Sequence, residues 1–300
     1  MKPITKLQYM LLGSGKTLVF YLWIGLIFSC QTKSIPMTGS ILAEDKSTIA
    51  YKKSGHGDTT LLFVHGWCIN KDYWQYQFDF FDDRYTVVAI DLPGFGQSSK
   101  QRISYDFDQY ADDVIQCIDQ LALNKVILIG HSMSGDIILK ADTKPSSKIV
   151  GIIGIDNLHS PSGEQDSTSK ANAVTYFDYM EANYDSAVIN GAKPYLFQPT
   201  TPDSIISRVM QDILATPAAL SVNVLRALDD IGQLEKSLMR QLHHRLVLVN
   251  SDVSPVALDS LNAYCAKGVK LFTVHATGHY PMIEKPGEFN RALQQAIWNQ

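Results

Sequence analysis

The sequence predicts an α/β fold, with a mostly parallel central sheet of about eight strands flanked by helices and one inserted helical lid. Short, continuous apolar runs alternate with helical patterns, as in a sheet that is covered on both faces. The strand signal stops between residues 157 and 244, where only helical patterns remain. The chain of 300 residues is long enough to bury a substantial core.

Eight strands are predicted in two groups. Two short segments, 38–43 and 48–53, flank the turn sequence EDKS and predict a hairpin at the sheet edge. The six continuous runs predict buried strands with right-handed crossovers. They are Leu61–His65, Tyr85–Ile90, Lys125–Ile129, Ile149–Ile155, Arg245–Val249 and Lys270–Val274.

Apolar residues at helical spacing predict the helices that cover the sheet. Such stripes occur in Phe107–Leu121, Val256–Ala266 and Pro286–Trp298. We therefore assign residues 38–156 and 245–300 to the α/β core.

Residues 157–244 are predicted to form a helical lid over one end of the sheet. Helices are expected near 168–182, 202–215 and 217–229, with prolines between them. The lid is rich in aromatic residues, which either form an apolar pocket wall or pack the lid helices together. They are Tyr176, Phe177, Tyr179, Tyr195 and Phe197.

Residues 1–29 predict an export signal. They carry three lysines and no acidic residue, and Leu18–Phe28 is an apolar run too short to span a bilayer. The sequence Ile27-Phe28-Ser29-Cys30 resembles a bacterial lipoprotein signal, which implies lipidation of Cys30. An ordinary signal peptide or an uncleaved anchor helix remains an alternative. Gln31 follows the cysteine, which by the same resemblance implies a lipid anchor in the outer membrane, facing the periplasm.

Composition argues against several partners. The net charge is −4 and no basic cluster is present, so nucleic acid is not an expected partner. We expect no metal and no cofactor, because neither metal-ligand spacing nor a dinucleotide-binding glycine motif occurs. Cys68, Cys117 and Cys265 are interpreted as small buried side chains, although one disulfide remains open.

Four motifs follow predicted strands and indicate a site at one edge of the sheet. They are His65-Gly66-Trp67, Asp91-Leu92-Pro93-Gly94-Phe95-Gly96-Gln97-Ser98, Gly130-His131-Ser132 and Gly278-His279-Tyr280-Pro281. Ligands of such sheets bind outside the carboxyl ends of the strands. In this order and spacing, the four motifs resemble the α/β-hydrolase fold superfamily, especially its lidded esterases and C–C hydrolases. The resemblance covers roughly residues 40–298, and the lid matches only in position.

The resemblance implies a catalytic serine at the turn after the third buried strand. The turn reads Gly130-His131-Ser132-Met133-Ser134-Gly135, with a serine where the usual G-x-S-x-G pattern has its second glycine. Ser132 occupies the apex and is predicted to be the nucleophile, whereas Ser134 begins the helix as a packing residue. The segment GHYPMIEKPGEFN is similar to the family's histidine segment and implies His279 as the general base.

The triad acid has two candidates. Chain order in this fold is serine, acid, histidine, and Asp252 follows the strand before the one that leads to His279. We predict Asp252, although the usual glycine is missing and the acid comes one residue early. Asp156, at the end of the preceding strand, is the alternative. The resemblance also implies an oxyanion hole formed by the backbone N–H groups of Trp67 and Met133.

The sequence therefore predicts a serine hydrolase that acts on a small or medium ester, like a carboxylesterase or lipase, through an acyl-enzyme on Ser132. C–C bond, lactone and amide hydrolysis and peracid formation stay open within the same fold. A non-enzymatic sensor that retains the pocket is the alternative from another class.

Overall fold

A computed structural model describes residues 35–102 and 104–300. The predicted signal segment, residues 1–29, and Cys30 lie outside the described residues. Within the described ranges, eight strands form one sheet in the order β1-β2-β4-β3-β5-β6-β7-β8. The strands are β1 Met37–Leu42, β2 Thr48–Ser54, β3 Thr60–Val64, β4 Thr86–Ile90, β5 Val126–His131, β6 Ile149–Ile155, β7 Leu246–Ser251 and β8 Val269–Val274.

Strand directions confirm the predicted fold class. The hairpin β1–β2 is antiparallel and joins β4 in antiparallel register, while β4, β3, β5, β6, β7 and β8 run parallel. Strands β3 to β6 lie in the centre and are almost wholly buried. Strand β8 differs from the prediction because it is the edge strand, and most of its residues are only half-buried or exposed.

Twelve α-helices occur in the described part of the chain. They are α1 Gln75–Phe81, α2 Phe107–Gln120, α3 Ser134–Asp142, α4 Ser167–Ala182, α5 Tyr184–Ala187, α6 Lys193–Leu196, α7 Asp203–Ala215, α8 Ala218–Gly232, α9 Glu235–Gln241, α10 Leu258–Asn262, α11 Pro281–Glu284 and α12 Pro286–Ile297. Helix α10 is shorter than predicted, since the Asn262 side chain accepts a hydrogen bond from the Val269 N–H and turns the chain into β8.

The helical segment between β6 and β7, residues 157–244, contains α4 to α9. Its helices α8 and α9 contact α3, the helix that follows the predicted nucleophile. The Trp67 indole N–H also donates to the Ser221 carbonyl in α8, at 3.0 Å. The segment therefore lies against the carboxyl edge of the sheet, where the four motifs meet.

Two further features bear on the sequence predictions. Cys68, Cys117 and Cys265 are buried free thiols, which agrees with their interpretation as small buried side chains. Among residues 35–102 and 104–300, no helix is both long and apolar enough to cross a membrane.

Candidate active site

Ser132 lies at the tip of a sharp turn between β5 and α3. Its φ is 53°, a left-handed conformation that costs energy in a non-glycine residue and is held here by the surrounding contacts. The Ser132 N–H donates to the Ile155 carbonyl at 3.0 Å, and the Gly135 N–H donates to the Ser132 carbonyl at 2.9 Å. These bonds fix the serine side chain at the carboxyl edge of the sheet.

Two glycines make this turn sterically possible. A Cβ on Gly130 would lie 2.3 Å from the Ser134 carbonyl oxygen, so strand and helix could not approach. A Cβ on Gly66 would lie 2.6 Å from His131 Nδ1 and 3.0 Å from Ser132 Cβ. The backbone after β3 therefore passes directly beside the serine.

Ser134 is placed where it cannot act as the nucleophile. Its side chain is fully buried, and its hydroxyl donates to the His65 carbonyl in the loop after β3. The structure therefore agrees with a packing role, and it adds a hydrogen bond between helix α3 and that loop.

His279 bridges the serine and an acid. Its Nε2 lies 2.8 Å from Ser132 Oγ, and its backbone N–H donates to the Leu196 carbonyl at 3.0 Å. His131 Nε2–H donates to the His279 carbonyl at 2.8 Å. Burial, and then the neighbouring His279, lower the pKa of His131 to about 3, so His131 stays neutral and serves as a fixed support behind the site.

The acid beside His279 is Asp156, which lies directly after β6. Its Oδ2 is 2.6 Å from His279 Nδ1, and its Oδ1 accepts the Ser251 N–H at 2.8 Å. Burial alone would raise the pKa of Asp156. The hydrogen bonds from His279 and Ser251 outweigh burial and hold that pKa well below its ordinary value. Asp156 is therefore a buried, ionised carboxylate that orients His279.

The prediction that Asp252 orients His279 is wrong. Asp252 follows β7 immediately, and its carboxylate turns to the end of β8, where it accepts His275 Nδ1–H at 3.0 Å and the Ala276 N–H at 2.9 Å. The Asp252 side chain is 41% exposed, whereas that of Asp156 is 6% exposed. The physical reason is local, because Asp252 is the first residue after β7 and its bonds to His275 and Ala276 hold it at the end of β8.

Asn157 is a site residue that the sequence analysis missed. Its Nδ2 donates to the carbonyl oxygens of Gly130, at 2.8 Å, and Ser132, at 3.1 Å. Its own carbonyl accepts Asn250 Nδ2–H at 2.8 Å. Asn157 therefore fastens the serine turn to the ends of β6 and β7. An asparagine beside a strand end has many ordinary roles, so no local signal marked it.

The predicted oxyanion donors lie beside the serine. Met133 follows Ser132 and is the N-cap residue of α3, and Trp67 follows Gly66, whose backbone abuts Ser132. The Asp91–Ser98 loop braces this region from below. Buried Asp91 accepts the backbone N–H of Lys71 at 2.7 Å and pairs with the Lys71 ammonium at 2.8 Å.

A cavity of about 340 Å³ opens above Ser132 and His279. Its walls come from the core and from the 157–244 segment, and they are mainly polar. The lining residues are Ser132, Met133, Asp136, Asp156, Asn157, His159, Ser162, Gly163, Gln165, Leu228, Asp229, Gly232, Glu235 and His279.

The aromatic residues of the insertion do not line this cavity. Tyr195 is 83% exposed, Tyr176 and Tyr179 are about half exposed, and Phe197 stacks on Tyr280 with ring centroids 5.9 Å apart. The interpretation of these residues as an apolar wall of this cavity is therefore wrong.

Two buried carboxyl groups face each other at the cavity wall. Asp136 lies on α3 and Glu235 begins α9, and the two hydrogen-bond with each other. Burial, and then Glu235, raise the pKa of Asp136 well above its ordinary value. Burial also raises the pKa of Glu235, although the Ser162 N–H that donates to it at 2.7 Å opposes this. The pair therefore shares a proton between core and insertion.

Replacing Glu235 should remove a loss of stability that the wild-type protein shows as the pH rises. The wild-type pair keeps protons that the unfolded chain releases above the ordinary carboxyl pKa values of 3.8 and 4.5, so its stability falls as pH rises. In Glu235→Gln, the amide can donate to Asp136 and accept from Ser162. We expect a melting temperature about 2 °C above wild type at pH 8 and equal to it at pH 4, measured by calorimetry. An equal fall in melting temperature from pH 4 to pH 8 in both proteins would contradict the shared proton.

A serine, a histidine and an aspartate in hydrogen-bonded series, at the carboxyl edge of a mainly parallel sheet, define this chain as an enzyme of the α/β-hydrolase class. A family model described as the alpha/beta hydrolase fold matches residues 59–196. This match and the sheet topology show that the chain has the α/β-hydrolase fold, as the four motifs indicated.

Two curated relatives illustrate the sequence similarity. The dihydrolipoyllysine-residue acetyltransferase component of the acetoin cleaving system of Cupriavidus necator is 27% identical over 263 residues, which cover 84% of this chain and 67% of the relative. The bifunctional esterase/perhydrolase of Acinetobacter calcoaceticus is 35% identical over 99 residues. That match covers 32% of this chain and 36% of the relative, so the chain spans only about a third of its length.

The fold is also found in solved structures. An esterase from Exiguobacterium antarcticum superposes with a TM-score of 0.75 at 20% sequence identity. The superposition covers 87% of this chain and 100% of the esterase.

Proposed function

We propose that this chain is a serine hydrolase that cleaves a small or medium carboxylic ester through an acyl-enzyme on Ser132. One observation carries the proposal: Ser132 Oγ, the His279 ring and the Asp156 carboxylate are joined by two hydrogen bonds of 2.8 and 2.6 Å. A serine hydroxyl needs such a base to become nucleophilic. The similar esterase and esterase/perhydrolase support an ester substrate.

In the first half-reaction, Ser132 Oγ attacks the carbonyl carbon of the substrate and its proton moves to His279 Nε2. Asp156 accepts the Nδ1–H throughout, which keeps the imidazole in the required tautomer and stabilises the imidazolium. The resulting oxyanion accepts hydrogen bonds from the backbone N–H groups of Met133 and Trp67. When the intermediate collapses, the bond to the alcohol breaks and His279 returns its proton to that leaving group.

In the second half-reaction, water attacks the acyl-enzyme carbonyl. His279 takes a proton from this water, and the second tetrahedral intermediate collapses to release the carboxylic acid. The Ser132 oxygen recovers its proton from His279, so the enzyme returns to its starting state.

A fluorophosphonate probe and a small substrate panel test this proposal. We expect covalent labelling of Ser132, located by mass spectrometry, and turnover of short esters, followed by titration of the released acid. Lactones, amides and 1,3-diketones in the same panel test the other reactions of this fold. Labelling without turnover of any substrate would favour a ligand sensor and contradict the hydrolase.

Export and lipid anchoring remain a separate proposal, which rests on the apolar run Leu18–Phe28 and on Cys30. If Cys30 is lipidated, the mature chain is held at a membrane by several acyl chains, since a single chain binds only weakly. We expect Cys30→Ala to move the protein from the membrane to the soluble fraction when cells are fractionated. A wild-type protein that is already soluble in the periplasm would contradict the anchor.

A further inference from the structure

The cavity above Ser132 offers many hydrogen-bond acceptors. Gln165 Nε2 donates to Asp229 Oδ1 at 2.8 Å, and because a carboxylate can only accept, this bond fixes the orientation of the Gln165 amide. Its Oε1 is therefore the free end, and it is buried without a hydrogen-bond partner in the described chain. Gln165 and Asp229 both line the cavity.

A second set of acceptors lies on the same wall. Asp136 is 5% exposed, and its Oδ1 is buried without a hydrogen-bond partner among the described residues. One proton between two carboxyl groups leaves the pair with a net negative charge. The pair and Asp229 therefore give this wall excess negative charge.

His159 adds a group that can accept or donate. Its Nε2 is buried without a partner and lies 4.0 Å from Asp156 Oδ1, too far for a hydrogen bond. In the neutral imidazole this nitrogen can be the acceptor. Burial lowers the pKa of His159, which favours that neutral form.

Basic groups near the cavity offset this negative charge only in part, since Lys236 acts on Glu235 and Arg226 is paired with other acids. Lys236 lies near Gly163, since a Cβ on that glycine would be 2.7 Å from its Nζ. Arg226 is already paired with Asp178 at 2.7 Å and Glu181 at 3.5 Å. A buried acceptor without a donor costs free energy. A ligand that donates hydrogen bonds to this wall therefore binds more favourably than one that cannot.

We propose that this wall, formed by Asp136, His159, Gln165, Asp229 and Glu235, is a subsite for a substrate group that donates hydrogen bonds, either a hydroxyl or an ammonium group close to the scissile ester. The inference rests on the proposed function, since it names the substrate class of the same site. It selects against plain fatty acyl esters.

Matched esters test the subsite. Methyl 3-hydroxybutanoate and methyl 3-aminobutanoate are compared with their apolar isostere, methyl 3-methylbutanoate. On the alcohol side, 2-hydroxypropyl acetate is compared with isobutyl acetate. We expect kcat/KM to be about tenfold or more higher for a donor-bearing ester than for its isostere in at least one set, because the isostere leaves buried acceptors unpaired.

Variants separate the two kinds of donor. Asp229→Asn should lower the preference for the amino ester about tenfold, and the preference for the hydroxy esters less, since it removes charge but keeps an acceptor. Gln165→Leu should lower both preferences. Asp230→Asn is the matched control, with the same charge change at an exposed neighbour outside the cavity, and should keep each preference within about twofold.

The outcomes distinguish the subsite from the proposed function. Wild-type enzyme that is labelled by the fluorophosphonate but hydrolyses the apolar isosteres as well as or faster than the donor-bearing esters overturns the subsite alone. Equal loss of preference in Asp230→Asn and Asp229→Asn also overturns it. If no ester is hydrolysed and Ser132 is not labelled, the proposed function itself fails and the subsite falls with it. Circular dichroism of each variant confirms that it is folded.

Discussion

Ser132→Ala is expected to lower ester turnover by about 10⁶-fold and to abolish fluorophosphonate labelling. The triad acts as a unit, so removal of the nucleophile leaves only the catalysis that binding and oxyanion stabilisation provide. The Ser132 hydroxyl is the group 2.8 Å from His279 Nε2, and no other hydroxyl is expected to replace it. The measurement is single-turnover kinetics, with labelling detected by mass spectrometry.

Ser134→Ala is the matched control at the second serine of the same turn. It removes the hydroxyl that donates to the His65 carbonyl, which should cost roughly 1 kcal/mol of stability. Turnover should stay within a few-fold of wild type, because Ser134 does not face His279. An inactive Ser134→Ala protein beside an active Ser132→Ala protein would overturn the assignment of the nucleophile.

Asp156→Asn is expected to lower kcat by about 10⁴-fold while the fold is retained. An amide at this position can donate to His279 Nδ1, and the imidazole then carries its proton on Nε2, where it cannot accept the Ser132 proton. We expect turnover to depend on this carboxylate, because Asp156 is buried and lies 2.6 Å from His279. Steady-state kinetics with a short ester measure the loss.

Asp252→Asn tests the competing acid with the same chemical change. Its carboxylate is partly exposed and bonded to His275 and Ala276, so turnover should fall no more than a few-fold. A 10⁴-fold loss in Asp252→Asn with an active Asp156→Asn would mean that the loops rearrange during catalysis and that the acid is Asp252.

The fold was predictable from local pattern because each strand carries its own signal. Continuous apolar runs such as Ile149–Ile155 need no knowledge of their neighbours, and the observed strands agree with the runs to within a few residues. Ser132 and His279 were predictable for a related reason. Ser132 lies in a turn whose steric demands Gly130 meets, and His279 lies in a segment that resembles the histidine segment of α/β hydrolases.

The acid could not be assigned in the same way. Asp156 and Asp252 both follow parallel strands, and strand-end position alone does not say which carboxylate turns towards His279. The choice depends on how the backbone leaves each strand: Asp156 has a φ of 47°, whereas Asp252 is held at the end of β8 by His275 and Ala276. Such loop geometry is set by long-range contacts, among them the Ser251 N–H that holds Asp156.

The polar chemistry of the cavity could not be predicted from the sequence for a further reason. The Asp136–Glu235 pair joins a core helix to an inserted helix. The sequence around either residue gives no sign that the two carboxyl groups meet. The aromatic residues of the insertion had suggested either an apolar pocket wall or packing between the inserted helices, but their composition did not reveal that Tyr176, Tyr179 and Tyr195 are exposed. Pairings between distant segments are therefore the part of this site that local sequence reasoning could not supply.

The position of Asp156 also bears on how the site assembles as the chain folds. Ser132 and Asp156 end neighbouring strands of a single β5–α3–β6 unit, so only a short loop must close to bring nucleophile and acid together. An acid at Asp252 would have required closure across the whole 157–244 segment. Only His279 must be brought in from far along the chain, since it lies 123 residues beyond Asp156. The pairing of β7 and β8 with the sheet offsets the entropy that this closure costs. The 157–244 segment, which lies between Asp156 and His279, can thus vary in length and sequence while Ser132 and Asp156 keep their relative positions.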